Sequence, residues 1–245
     1  MADLRFIEAT ADPTLIPGVY NTCDQWCNYC PVTSRCLAFR CIPASGELRD
    51  MYETLAEAME ASMKYLKECY DAEGLKPPEE LLRLLADDPR RHAAFEPLND
   101  PLERMGKHYA VLANAYLASV EEIPAAFPKR PGGPTPFEVF LYYHVRIAGK
   151  IARAIMSSSE AARTGRPWAR WDADASAKVA LVSIDRSDQA LQVITLDDPD
   201  PRIEHMRRHL RRLGREVEAR FPAARTLVRP GLDDSGAGDG RCVRA

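Results

Sequence analysis

The chain has 245 residues, enough for one large domain or two small ones with a sizeable core and no need of covalent staples. Apolar residues make up 46% and charged residues 28%, the balance of a folded globular chain rather than a disordered or membrane-embedded one. A net charge of −3 gives no reason to expect nucleic acid or an anionic membrane as the default partner.

The opening "MADLRFIEATADPTLIPG" carries acids early and lacks an apolar h-region, so it does not read as a signal peptide. No run of about 18 apolar residues occurs that could span a bilayer. The expectation is a soluble cytoplasmic protein in a reducing compartment, where thiols stay reduced. Seven cysteines, an odd number, also sit badly with a full disulfide framework.

Residues 1–46 lack a sustained period and carry Pro13, Pro17, Gly18, Pro31, Pro43 and Gly46, so they read as an irregular cap. From Glu47 the texture turns helical. Tyr52, Leu55, Met59, Ser62, Leu66 and Cys69 recur at steps of three and four, and Gly74 supplies a stop. "PPEELLRLLADDP" predicts a short second helix with proline in its first turn. A third helix begins at Pro101, with Leu102, Met105, Tyr109, Leu112, Tyr116 and Val120 on one face.

"PAAFPKRPGGPTP" is a loop, after which Thr135-Pro136 starts a helix predicted to run unbroken through "MSSS". Phe137, Phe140, His144, Ile147, Ile151 and Ala154 form its inward stripe. "TGRPWARW" is expected to break that helix, with Asp172 or Asp174 capping the next. The body of that next helix, "ASAKVALVSIDRSDQALQVITL", is greasy on several sides and should lie centrally. A last helix sets Ile203, Met206, Leu210, Leu213 and Val217 against many arginines. The glycine-bearing tail after Phe221 loses its period.

The predicted fold is all-α: a bundle of four to five long helices with a cysteine-rich, metal-binding N-terminal cap. The expected divisions are 1–46 for the cap, 47–221 for the bundle and 222–245 for a mostly irregular or disordered tail.

The cap holds Cys23, Cys27, Cys30 and Cys36 in the spacing C-x3-C-x2-C-x5-C, with Cys41 as a spare ligand. Four soft ligands so close in sequence come together with little loop-closure entropy left to lose. Two chemistries fit. A zinc ion takes four thiolates and would staple the cap. A [4Fe–4S] cluster also takes four, often from a tight run in which a cysteine precedes proline, as Cys30 precedes Pro31. Zinc ribbons usually separate their ligand pairs by a dozen residues or more, which places iron–sulfur ahead of zinc here.

Trp26, Tyr29, Leu37 and Phe39 are available to shield such a site. Simple core filling by reduced thiols fits poorly with the neighbouring Asp24, Gln25, Asn28 and Arg35. Cys69 and Cys242 read as bystanders. The triplet Cys23–Cys27–Cys30 also resembles the cluster motif of radical SAM enzymes, but that family uses a (β/α) barrel and this chain shows no βα alternation.

Inside the bundle His144 occupies a stripe position; it reads first as a core histidine and second as a ligand or acid–base group. Lys178 and Asp185 stand two turns apart on the greasy helix, with Asp174 at i−4 from Lys178. Buried charges need partners, and Arg146, Lys150 and Arg153 offer cations for Asp185. An interhelical ion network is the plainer reading; a small-molecule pocket or proton relay using His144, Lys178 and Asp185 is the functional one.

A ferritin-like di-iron site is disfavoured, since none of the five histidines has Glu three residues before it. No P-loop, G-x-G-x-x-G, H-E-x-x-H or G-x-S-x-G occurs. Glu204, Glu216 and Glu218 interrupt the arginine-rich helix, which reads as a solvated face rather than a nucleic-acid surface.

The segments "YNTCDQWCNYCPVTSRC" and "SAKVALVSIDRS" together resemble a group of bacterial helical proteins without an assigned activity. They cover about an eighth of the chain. The resemblance implies that cap and central helix belong to one protein type, and it transfers no catalytic residue. The expected function is a metal-binding protein holding a [4Fe–4S] cluster for electron transfer or redox sensing, possible as an oxidoreductase, with a redox or protein partner. The alternative is a non-enzymatic, zinc-stapled binding module for a protein or a nucleic acid.

Overall fold

The computed structural model describes residues 12–40, 100–120, 132–197 and 199–233. The two helices expected between Glu47 and Pro89, and the cysteines at 41, 69 and 242, lie outside them. All regular structure among the described residues is helical. Five longer helices carry most of it, besides short turns of helix in residues 19–40: α1 (Pro101–Leu117), α2 (Pro136–Tyr143), α3 (Arg146–Thr164), α4 (Pro167–Asp197) and α5 (Pro201–Arg220). Among the described residues no helix is long and apolar enough to cross a membrane.

The described residues fall into two compact units: 12–17 with 32–40, and 18–31 with 100–233. The division runs through the segment that the sequence treats as a single cap. It assigns Cys23, Cys27 and Cys30 to the helical unit and Cys36 to the other.

The smaller unit closes on itself through short polar contacts. The Ile16 amide donates to the Arg35 carbonyl at 2.9 Å, and Arg35 Nε donates to the Thr14 carbonyl at 3.0 Å. Arg40 spans Asp12 and the Ser34 carbonyl, each through a guanidinium nitrogen within 2.7 Å. Hydrogen bonds from Thr14 and Arg40 bring the Asp12 carboxyl down to about 2. Ile16, Val32, Cys36 and Leu37 are buried.

In the larger unit three helices start with one device. A side-chain oxygen caps the first free amides while proline at the first helical position fixes φ and lacks a donor of its own. Asp100 accepts from the Leu102 amide at 2.8 Å and Asp200 from the Arg202 amide at 2.7 Å. Thr135 and Glu138 exchange bonds of 3.2 and 2.7 Å as a reciprocal capping box.

The 31 residues of α4 span about 46 Å at 1.5 Å per residue. This helix packs against α2, α3 and α5, while α1 packs against α3 and α5. Small side chains let its neighbours approach: Ala169, Ala173, Ala175, Ala177, Ala180 and Ala190 are all buried. α1 comes close to α3 at Gly106, where a β-carbon would lie 3.3 Å from both Ala148 Cα and Ile151 Cδ1. The predicted stripe of α5 is buried throughout, from Ile203 to Val217.

Two expected boundaries are corrected. The helix starting at Pro136 is not continuous: it breaks at His144–Val145, where the ladder slackens to a 3.4 Å bond from the Gly149 amide to the Val145 carbonyl. The break before α4 falls at Gly165–Arg166, because Gly165 adopts φ +69° and ends α3 in the left-handed region. That break lies within the expected "TGRPWARW", but Pro167 opens α4, so Asp172 and Asp174 lie inside the helix rather than capping it. Trp168 and Trp171 ride on its first turns, 54% and 43% exposed.

The chain after α5 folds back in turns as far as Asp233, burying Ala224 and Arg229. Arg229 is held by Asp233, with bonds from Nη2 at 2.7 Å and Nε at 3.0 Å to one carboxylate oxygen.

Candidate functional site

Residues 18–31 are bound to the helices through Asp24, which sits between Cys23 and Cys27. Its carboxylate pairs with Arg186 of α4 and accepts from the Tyr143 hydroxyl of α2 at 2.6 Å. Arg186 Nη1 also donates to the Tyr143 hydroxyl at 2.6 Å, closing a triangle. The Trp26 amide donates to the same carboxylate at 3.2 Å, and the Tyr142 hydroxyl donates to the Asp24 carbonyl at 3.1 Å. Burial pushes the Asp24 carboxyl up most strongly. Arg186, Tyr143, the Trp26 amide and Arg229 together outweigh it and hold the carboxyl below its ordinary range.

Trp26 reinforces the anchor. Its ring stacks on Tyr142 at 4.1 Å between centroids and 8° between planes, and meets Tyr143 edge-on at 5.6 Å. Tyr29 stands edge-on to Trp26 at 5.2 Å. The Arg146 guanidinium carbon lies 4.1 Å from the Tyr142 ring centroid, a cation–π contact. A crevice of about 20 Å³, lined by Trp26, Tyr29, Val139, Tyr143, Arg186 and Gln189 among others, opens beside the triangle. That is room for a water-sized group.

Cys23, Cys27 and Cys30 are each half-buried around this anchor. Cys27 lies in a 3₁₀ turn (Cys27–Tyr29), and the Cys30 amide closes it with a 3.2 Å bond to the Cys27 carbonyl. Cys23 Sγ donates to the Tyr20 carbonyl at 3.5 Å. Burial raises the Tyr142 hydroxyl; Arg146 opposes the shift, and the charges of Asp24, Cys27 and Cys23 add to it. Lys150 is lowered by burial first and then by Arg153, with Cys23 and Asp24 working the other way. The helical unit thus turns Arg146 and Lys150 toward the charges carried by residues 23–27.

Among the described residues no three or more His, Cys, Asp or Glu side chains stand together as they would around a metal ion. Cys36 is buried in the smaller unit, and its place in a ligand set rests on sequence spacing alone.

The other candidates fall elsewhere. His144 is half-buried at the α2–α3 break, its Nδ1 2.7 Å from the Leu141 carbonyl, and burial lowers its pKa. Lys178 and Asp185 converge on one residue: Lys178 Nζ donates to the Arg225 carbonyl at 2.9 Å, while the Arg225 guanidinium pairs with Asp185 at 2.5 Å and with Glu218. Neither shares a hydrogen bond or ion pair with His144 among the described residues.

The expected partners also change. Arg153 pairs not with Asp185 but with Asp172, at 2.6 Å, and Ser157 donates to the same carboxylate at 2.6 Å. Lys178 is 3.9 Å from Asp233 rather than paired with Asp174. Asp24 and Arg186 are the residues that sequence reasoning missed. The available signal was an arginine at the end of the greasy stretch of α4, which needs an anion where it is buried.

No family model matches this chain, and neither the curated proteins nor the solved structures give a match to it.

Proposed function

We propose that residues 23–36 form the metal-binding part of an electron-transfer or redox-sensing protein, with Cys23, Cys27, Cys30 and Cys36 as thiolate ligands to a [4Fe–4S] cluster. The observation that carries this reading is the buried Asp24 anchor, which fixes the backbone between two of the cysteines while leaving their sulfurs half-buried. A segment that only filled a core would bury the thiols and expose the carboxylate. This one buries the carboxylate and leaves Cys23, Cys27 and Cys30 half-buried.

The donor set suits the group, since thiolates are the ordinary ligands of iron–sulfur clusters. Cys36 enters as the fourth ligand on its spacing. Binding requires Cys23, Cys27 and Cys30 to draw together over the short chain lengths that separate them.

A bound cluster supplies one-electron chemistry. The chain's own residues do the rest. Trp26, Tyr29 and Tyr142 keep water from the inner side of the segment. Arg146 and Lys150 offset the negative charge of the thiolates and so favour their ionised, ligating form. Exposure of a cluster and nearby charge are the levers that set its potential.

The test is anaerobic purification followed by iron and sulfide analysis and an absorption spectrum. A brown protein with broad absorption near about 400 nm, lost in Cys27→Ser, is expected. A colourless wild-type protein containing one zinc overturns the electron-transfer reading and leaves the stapled binding module.

A further inference from the structure

The structure sorts the arginines of α5 by their partners. Arg202 pairs with Asp200 at 2.5 Å, Arg207 with Asp188 at 2.9 Å and Glu204 at 3.4 Å, and Arg211 with Glu204 at 3.1 Å. Arg220, in the last turn, suits the negative end of the helix dipole. Arg208, Arg212 and Arg215 are exposed and have no carboxylate partner among the described residues. Two of the three glutamates that interrupt this helix in sequence are committed elsewhere: Glu204 to Arg207 and Arg211, and Glu218 to Arg225. Glu216 alone is left beside the unpaired arginines.

Spacing of i, i+4 and i+7 puts Arg208, Arg212 and Arg215 within about 60° of the helix circumference, over about 10 Å of its length. Ile203, Met206, Leu210, Leu213 and Val217 are buried on the opposite side, so the row points away from the core. Like charges at these spacings repel and weaken the helix that carries them. No carboxylate among the described residues offsets that repulsion.

The face also lacks what a protein or a bilayer would grip, because no large apolar side chain of α5 is exposed. Protein interfaces are anchored by buried aromatic and apolar groups, and membrane-surface helices by an apolar face. A phosphate backbone needs neither. A row of fixed cations binds it by charge and by releasing its counterions. The planar guanidinium fork also matches phosphate oxygens two at a time.

We infer that Arg208, Arg212 and Arg215 form a docking row for the phosphate backbone of a duplex nucleic acid, bound without reading its bases. Binding of this kind is sensitive to salt, in proportion to the number of cations that take part. The row does not rest on the cysteine site.

The experiment is fluorescence anisotropy of a short labelled DNA duplex titrated with the full chain at several potassium chloride concentrations. With three phosphates neutralised, log K should fall against log salt with a slope of about −2.7, which is about 40-fold between about 50 and 200 mM. Each of Arg208→Gln, Arg212→Gln and Arg215→Gln should make that slope shallower by about 0.9, and the triple variant should lose measurable binding. All three positions are exposed, so the variants are expected to fold, which far-UV circular dichroism checks. Arg163→Gln with Arg170→Gln, exposed on α3 and α4, is the control and should bind as the wild type does. So should Cys27→Ser, which separates failure of this row from failure of the cysteine site. No binding by the wild type at about 50 mM salt overturns the row, as does a slope unchanged in the triple variant or an equal loss in the control. Polyglutamate bound at least as tightly as the duplex also overturns it and makes the face one for an acidic protein.

Discussion

Arg186 pairs with Asp24 across 162 residues of sequence, with side chains only 14% and 12% exposed. The pair fastens the cysteine-bearing segment to α4, the longest helix among the described residues. Removing one partner leaves an uncompensated charge where water is scarce, which typically costs about 3–5 kcal/mol. Arg186→Leu should therefore lower the free energy of urea unfolding by that amount, and Asp24→Asn combined with Arg186→Leu should recover part of it. An Arg186→Leu protein within about 1 kcal/mol of the wild type would show the pair to be ornamental.

Trp26 is 6% exposed and stacked on Tyr142, whereas Trp168 and Trp171 are half-exposed on α4. The emission of the protein should therefore contain one blue-shifted tryptophan and two red-shifted ones. Metal loading of the cysteines should quench the blue component, and Trp26→Phe should abolish the change. Quenching that persists in Trp26→Phe places the metal elsewhere.

Asp172 accepts from Arg153 and Ser157. Burial raises its carboxyl most, but the two donors and the charges of Arg153 and Lys150 prevail and the net shift is downward. A carboxyl that titrates lower when folded than unfolded stabilises fully above the unfolded value of about 3.9, and that stability is lost as pH falls through the folded value. Asp172→Asn should flatten this acid limb in denaturation curves taken between about pH 5 and pH 2. An unchanged limb means that another carboxylate sets it.

A β-carbon at Gly106 would meet the Ala148 backbone as well as the end of the Ile151 side chain, each at 3.3 Å. Gly106→Val must separate α1 from α3 and should cost about 1–3 kcal/mol despite a better helix propensity. A thermal midpoint equal to that of the wild type would show that the helices yield at this point.

His144 makes one hydrogen bond to its own turn and is only half-buried. His144→Ala should change stability by no more than about 1.5 kcal/mol and leave iron content untouched. Loss of iron in that variant would restore His144 to the functional site.

The stripes of α3 and α5 were legible in the sequence because a helix face repeats within a single element: Ile147, Ile151 and Ala154, or Ile203 to Val217, need no knowledge of partners. The start of α4 was not. The break in "TGRPWARW" is legible, but the new helix starts at Pro167, right after the left-handed Gly165, and not at the capping candidates Asp172 and Asp174. Cation assignments failed for a related reason. Arg153 could serve Asp172 or Asp185 by spacing, and only the packing of α3 along α4 selects Asp172. The cysteines announce themselves by density, but Asp24 among them looks like any polar loop residue until Arg186 arrives from the far end of the chain.

Since Asp24 and Trp26 are secured by Tyr142, Tyr143 and Arg186 rather than by the sulfurs, the position of the loop is inherited from the helices. A zinc finger acquires its shape at the moment of loading, whereas the stretch around Asp24 is placed by α2 and α4 with no help from a ligand.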